Sequence, residues 1–291
     1  VSRFGHFVAI DWSGAVGPTQ RGIAVAICAT GAAAPELVPP PGRHWSRLAV
    51  LDWLTTALPD DALVGFDLGP ALPFVDVGAY FPGWEASPAD ARSLWALVER
   101  LCADDPHLAA SSFVDHADAA PHFRRHGGRE GAAFGGGRGR LRVTELAQQR
   151  QGLNPYSNFN LVGAAQVGKS SLTGMRLLHR LGDRLPVWPF DPLPASGSVV
   201  VEIYTSLAAS AAGRARGRSK MRALADLNAA LAAPAIASAP IAASGAIDDH
   251  ASDALLTAAW LRRHADAPAL WAPPALSADI ARTEGWTFGV V

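Results

Sequence analysis

His6-Phe7-Val8-Ala9-Ile10-Asp11 is an apolar run that ends on a carboxylate, and its reading decides the fold. A short apolar run bounded by turn formers predicts a strand buried on both faces. Two more runs end the same way. Leu63-Val64-Gly65-Phe66 leads to Asp67, and Val199-Val200-Val201 leads to Glu202. A fourth acidic group, Asp248-Asp249-His250-Ala251-Ser252-Asp253, opens an apolar helix. A buried strand has little use for a carboxylate at its tip. Three such tips and a helix bearing acids predict one shared site, and with it an enzyme rather than a binding module.

Working outward, residues 21–29 predict a second strand, joined to the first by a turn holding Gly14, Gly17 and Pro18. A short third strand follows at 36–39. Residues 47–58 carry Leu48, Leu51, Leu54 and Leu58 at helical spacing, with Pro59 as the stop. The strand at 62–67 completes a β-β-β-α-β opening. From about 70 to 195 the pattern loosens. It predicts a large, mainly helical insertion or subdomain, with helices at 89–103 and 170–181 and a mobile Gly/Arg-rich loop at 124–142. Regular order returns with a strand at 198–204 and helices at 220–233 and 249–264. The expectation is one α/β domain over residues 1–291, a mixed sheet with helices on both faces.

Composition bounds the function. The chain has 291 residues, 49% hydrophobic and 18% charged, with a net charge of -1. That is enough apolar side chain for a large core, and it argues against a uniformly basic nucleic-acid binder. Cys28 and Cys102 have no metal-ligand spacing and predict small buried hydrophobes. No eighteen-residue apolar stretch predicts a membrane span. The N-terminus lacks a signal peptide's pattern, so the expected location is the cytoplasm. Lysine occurs only at 169 and 220.

Hard divalent cations, Mg²⁺ or Mn²⁺ here, take oxygen ligands from a few carboxylates and keep several waters. Such ions activate water and relieve charge on a leaving oxygen in phosphodiester cleavage. Asp249 and Asp253 are four apart on the last helix, and His250 and Asp253 three apart, so either pair shares a face. Each acid also has a plain structural alternative. Asp11 and Asp67 suit turns before glycine, and Asp248 or Asp249 suits a helix N-cap. Asp253 and Glu202 fit those alternatives least.

Four motifs together carry a resemblance: Ala9-Ile10-Asp11-Trp12-Ser13-Gly14, Gly65-Phe66-Asp67-Leu68-Gly69-Pro70, Val201-Glu202-Ile203-Tyr204, and Asp249-His250-Ala251-Ser252-Asp253-Ala254-Leu255. In this order they resemble the motifs of the family called domain of unknown function 429, regarded as ribonuclease-H-like and as a predicted nuclease. The β-β-β-α-β opening is that fold's opening order. His250 to Leu255 is also similar to the C-terminal helix motif of Holliday-junction resolvases. The resemblance implies Asp11 as a bridging metal ligand, Asp67 as a second, and Asp253 as the helix ligand assisted by Asp249 or His250. Glu202 matches a family motif and joins Asp11, Asp67 and Asp253 as a candidate catalytic acid, with its role open.

Gly163-Ala164-Ala165-Gln166-Val167-Gly168-Lys169-Ser170 fits the phosphate-loop pattern G-x-x-x-x-G-K-[ST]. That motif requires a buried strand before it, which residues 156–162 predict poorly, and a helix after it, which 171–181 supply. Glu202 would stand where such proteins carry a Walker B acid. Asp11-Trp12-Ser13-Gly14 is also loosely similar to the first phosphate loop of the actin and sugar-kinase class. Ser13, Gln166, Gly168, Lys169 and Ser170 are therefore candidate phosphate ligands, either in a nucleotide-binding ATPase or phosphotransferase or beside the acids of a nuclease. A non-catalytic binding protein of the same fold is the third expectation. Two arginine-rich stretches, Arg124 to Arg142 and Arg214 to Arg222, suit nucleic-acid phosphates. Trp12 could stack a base, although core packing suits it better.

Overall fold

The computed structural model describes residues 3–163, 167–215 and 220–291. Six strands form one mixed sheet: β1 (His6–Asp11), β2 (Ala24–Ala29), β3 (Glu36–Leu37), β4 (Ala62–Asp67), β5 (Val187–Trp188) and β6 (Val199–Glu202). Their order across the sheet is β3-β2-β1-β4-β6-β5. β1, β2 and β3 are antiparallel neighbours, whereas β1, β4, β6 and β5 run parallel. The apolar runs are continuous because both faces of the central strands are covered.

Strand side chains alternate between faces, so each central strand feeds two cores. Val8 and Ile10 of β1 and Val64 and Phe66 of β4 point to one core, with α1 (Arg47–Thr56), α2 (Ala91–Leu101) and α5 (Val167–Leu181). Phe7 and Ala9 of β1, Leu63 of β4 and Val199 and Val201 of β6 point to the other. There they meet α6 (Thr205–Ala211), α7 (Leu224–Leu231) and α8 (Asp249–His264). The helices α3 (Ser111–Asp115), α4 (Val143–Arg150), α9 (Pro268–Trp271) and α10 (Ala278–Thr283) complete the order. The stretch from 70 to 195 supplies α2 to α5. Trp95 of α2 and Leu172 of α5 are buried in the same core as β1 and β4.

Several boundaries shift from the sequence reading. The helix expected over 220–233 starts only at Leu224, because Ala223 pairs with Ala246 in an extended bridge. The strand expected over 21–29 starts at Ala24. α6 and the short edge strand β5 carry too few periodic residues to be read from sequence. No helix among the described residues is long and apolar enough to cross a membrane.

Candidate metal centre

β1 and β4 run parallel in a register that pairs Asp11 with Asp67. Adjacent strands lie about 4.8 Å apart, so the two tips are neighbours. Asp11 follows Phe7 and Ala9 on one pleat, and Asp67 follows Leu63 and Gly65 on the same pleat. Both carboxylates therefore face α8. Gly65 makes room for that helix layer: a Cβ on it would lie 2.6 Å from Ile203 Cγ2 and 2.9 Å from Leu261 Cδ1.

The opening turn of α8 is fixed locally. The Asp248 side chain caps it, accepting from the His250 amide at 2.9 Å. Asp249 sits in the first turn, where the helix dipole favours an anion. Asp253 lies one turn further, facing the strand tips. Asp11, Asp67, Asp253, His250, Thr205 and Lys220 all line a pocket of about 270 Å³.

The charges in this pocket are strongly perturbed. Burial raises the Asp67 carboxyl well above its usual range, and the Asp11 and Asp253 charges push it further. Asp253 is raised to about 7, by burial and then by Asp11. Burial also raises Asp11, against the hydrogen bond it receives from His250. His250 Nδ1 lies 2.9 Å from Asp11 Oδ2, and that bond lifts the imidazole to about 8. Thr205 donates to Asp67 at 3.2 Å. Lys220 Nζ, 2.5 Å from Asp249 Oδ2, is raised by that contact, and Asp249 is lowered by it.

Three oxygen donors that repel one another in a mostly buried pocket fit a hard divalent cation. Such an ion would be held by Asp11, Asp67 and Asp253. Their oxygens do not close to within 4.8 Å of one another; among the described residues the group that does is Asp248, Asp249 and His250, at the lip. Asp249 is engaged by Lys220, and His250 by Asp11, so both border the pocket rather than complete the acid trio.

Glu202 does not join them. β6 aligns Glu202 with Phe66 rather than Asp67. The pleat therefore sends it to the opposite face, in step with Val200. There Arg142 Nη1 and Nη2 hold its two oxygens at 2.9 and 2.6 Å, and Thr287 donates at 2.8 Å. Arg142 also binds Glu145, at 2.5 Å, and the Glu284 carbonyl, at 2.8 Å. This network occupies the acid that would have served as a Walker B partner.

A groove of about 480 Å³ adjoins the acids and is lined by Ser13, Gly14, Asp67, Gly163, Ser170 and His250, among others. Ser13 and Ser170 therefore lie beside the acid pocket. The strand a phosphate loop requires is missing: among the described residues 155–162 only Asn160 pairs, in an isolated bridge to Arg124. The Gly168 amide is taken by the Asn160 carbonyl at 3.0 Å. Lys169 projects to the other side of the Ser13–Ala15 loop, into a separate pocket. Gln166 lies outside the described residues.

The first arginine-rich stretch is mostly internal bracing. Arg142 is buried, which corrects its expected place on a phosphate-binding loop. Arg140 binds Asp76 and three backbone carbonyls, and Arg124 binds Glu130. In the second stretch, Arg216 and Arg218 lie outside the described residues, and Lys220 belongs to the acid pocket. Trp12 is a core side chain, donating to Thr173 at 3.1 Å and packed edge-on against Phe66.

Sequence reasoning missed three groups. Lys220 reads as one of a basic run, although it is one of two lysines in a chain with 25 basic residues. Arg47 opens α1 without any signal that it is buried. It ties down the loop after Asp11 by donating to the carbonyls of Ser13, Ala15 and His107 at 3.0, 2.5 and 2.8 Å. Thr205 carries no pattern at all. Comparison with family models, with curated proteins and with solved structures gave no match.

Proposed function

We propose that this chain is a ribonuclease-H-like hydrolase that cleaves phosphodiester bonds in nucleic acid with Mg²⁺ or Mn²⁺ held by Asp11, Asp67 and Asp253. The observation that carries the reading is the in-register pair Asp11–Asp67 on adjacent parallel strands, faced by Asp253 from α8. The strand order, three antiparallel strands followed by a parallel set, supports the same fold family, as does the resemblance of its motifs to those of the domain of unknown function 429 family.

A divalent cation in this pocket supplies Lewis-acid activation of water and charge relief at the leaving oxygen. The chain's own residues do the positioning. His250 donates from Nδ1 to one Asp11 oxygen and fixes the direction of the other. Thr205 does the same for Asp67. Lys220, on the pocket wall and bound to Asp249, adds positive charge where a phosphate would approach. The buried Arg142–Glu202–Glu145 cluster is a brace that joins α4 to the end of β6.

The test is cleavage of single- and double-stranded DNA and RNA with added Mg²⁺ or Mn²⁺. Metal-dependent cleavage that disappears in Asp11→Asn supports the reading. Retention of full cleavage by Asp11→Asn and Asp67→Asn, or no cleavage of any polymer by folded protein, would sink it. The nucleotide-hydrolase alternative has weaker support, because Lys169 and the acids open into different pockets. The same titration with ATP separates the two.

A further inference from the structure

The loop after Asp11 has a second pocket on its far side, of about 260 Å³. Gly14 and Ala15 line both this pocket and the groove beside the acids, so one thickness of backbone divides them. The loop presses hard on α5: a Cβ at Gly14 would lie 2.4 Å from the Lys169 backbone carbon. The far pocket has the opposite electrostatic character to the acid site. Arg125, His126, Arg129 and Lys169 converge on it, beside an apolar lining that includes the exposed Val16 and the partly buried Val114.

Arg125, Arg129 and Lys169 are poorly neutralised. Asp115 is the carboxylate in the lining, it is largely exposed, and it pairs with Arg125 Nη1 at 3.0 Å. Arg125 Nε and Nη2 are buried and have no hydrogen-bond partner among the described residues. Lys169 Nζ lies 3.2 Å from His126 Nε2 and meets no carboxylate among the described residues. Arg129 is exposed, and among the described residues its side chain reaches only the His126 carbonyl, at 3.3 Å. Arg47 closes one end, and three of its five N–H donors are taken by the carbonyls named above. Solvated surface arginines ordinarily spread apart or pair with acids. Here several cations share one concavity with unused donors, which is the electrostatic pattern of an anion site.

We propose that this pocket binds an organic phosphomonoester. The phosphate dianion sits among Lys169, Arg129 and His126, and an apolar body covers Val16 and Val114. A bare inorganic anion would leave Val16, which is 92% exposed, uncovered. Two sources share this chemistry: a free mononucleotide, and the phosphorylated end of a nucleic-acid strand whose next linkage reaches the acid groove. Only the second source draws on the hydrolase reading. The anion site itself stands on geometry independent of the acids.

Binding is measured by calorimetry on the full chain in EDTA at low salt, so that cleavage plays no part. The probes are adenosine 5′-monophosphate, adenosine, inorganic phosphate, and one oligonucleotide with and without a 5′-phosphate. The monophosphate is expected to bind at least tenfold more tightly than adenosine and than inorganic phosphate. Lys169→Ala combined with Arg129→Ala is expected to weaken it at least tenfold with the melting temperature unchanged. Tighter binding of the phosphorylated oligonucleotide than of the mononucleotide assigns the strand end as the source, and the reverse order assigns the free nucleotide. Asp11→Asn should bind the mononucleotide as the parent does, so loss of cleavage and loss of this site are separable. Equal affinity for adenosine and its monophosphate, or a double variant that binds like the parent, overturns the proposal.

Discussion

Replacing Asp253 by asparagine should stabilise the metal-free protein at neutral pH while abolishing its response to metal. The carboxyl is raised from its ordinary value of 3.8 to about 7 by burial and by Asp11. The folded state thus holds this proton more tightly than the unfolded state does. Between pH 4 and 7 the unfolded chain binds fewer protons, so stability falls as pH rises through that window. A shift of roughly three units corresponds to about 4 kcal/mol at most, at 1.36 kcal/mol per unit. The introduced amide must find partners of its own, so a net gain of about 1–3 kcal/mol is expected above pH 7. At pH 4 the carboxyl is already largely neutral in the folded state, and the gain should nearly vanish. The assay is urea unfolding in EDTA at pH 4 and pH 8, repeated at pH 8 with Mg²⁺ or Mn²⁺. Metal at a hundredfold over its Kd should add about 2.7 kcal/mol to the parent, and almost nothing to Asp253→Asn. A variant that is less stable than the parent at both pH values, and that still gains from metal, refutes the shared acidic pocket.

Three further outcomes are expected. In Asp11→Asn the His250 imidazole loses its carboxylate partner, and its titration, followed by NMR, should fall from about 8 toward its ordinary 6.5; a midpoint that stays near 8 would mean that the 2.9 Å contact does not hold the proton. Glu202→Gln unpairs part of the buried Arg142 cluster, at a cost of about 3 kcal/mol in urea unfolding, the low end for a broken buried pair because Glu145 remains. Its metal-induced stabilisation should persist, whereas loss of that response would place Glu202 among the ligands after all. Gly65→Ala forces a methyl into Ile203 and Leu261 and should cost about 1–3 kcal/mol. A neutral result there would show that the layer between β4 and α8 is loosely packed.

Much of the sheet was legible because its signals are local. The runs ending at Asp11 and Asp67 are strands with the expected ends, and the last helix spans the expected residues. The Asp248 cap and the apolar periodicity behind it are sequence-encoded. The helix at Lys220 was overextended, because the bridge from Ala223 to Ala246 depends on a partner in a distant stretch of chain. The arginine-rich stretch looked like a solvated loop, because charge type says nothing about burial. Arg140 and Arg142 turned inward to satisfy carbonyls and carboxylates contributed by distant segments.

The amino-acid order by itself determined which carboxylates stand at the ends of buried segments, since hydrophobic patterning and turn chemistry act over a few residues. Which of them meet was decided by strand register and pleat parity. Asp11 pairs with Asp67 and looks toward α8, while Glu202 aligns with Phe66 and looks the other way into Arg142. A one-residue offset between neighbouring strands turns a side chain to the opposite face, and that offset exists only once the sheet has assembled.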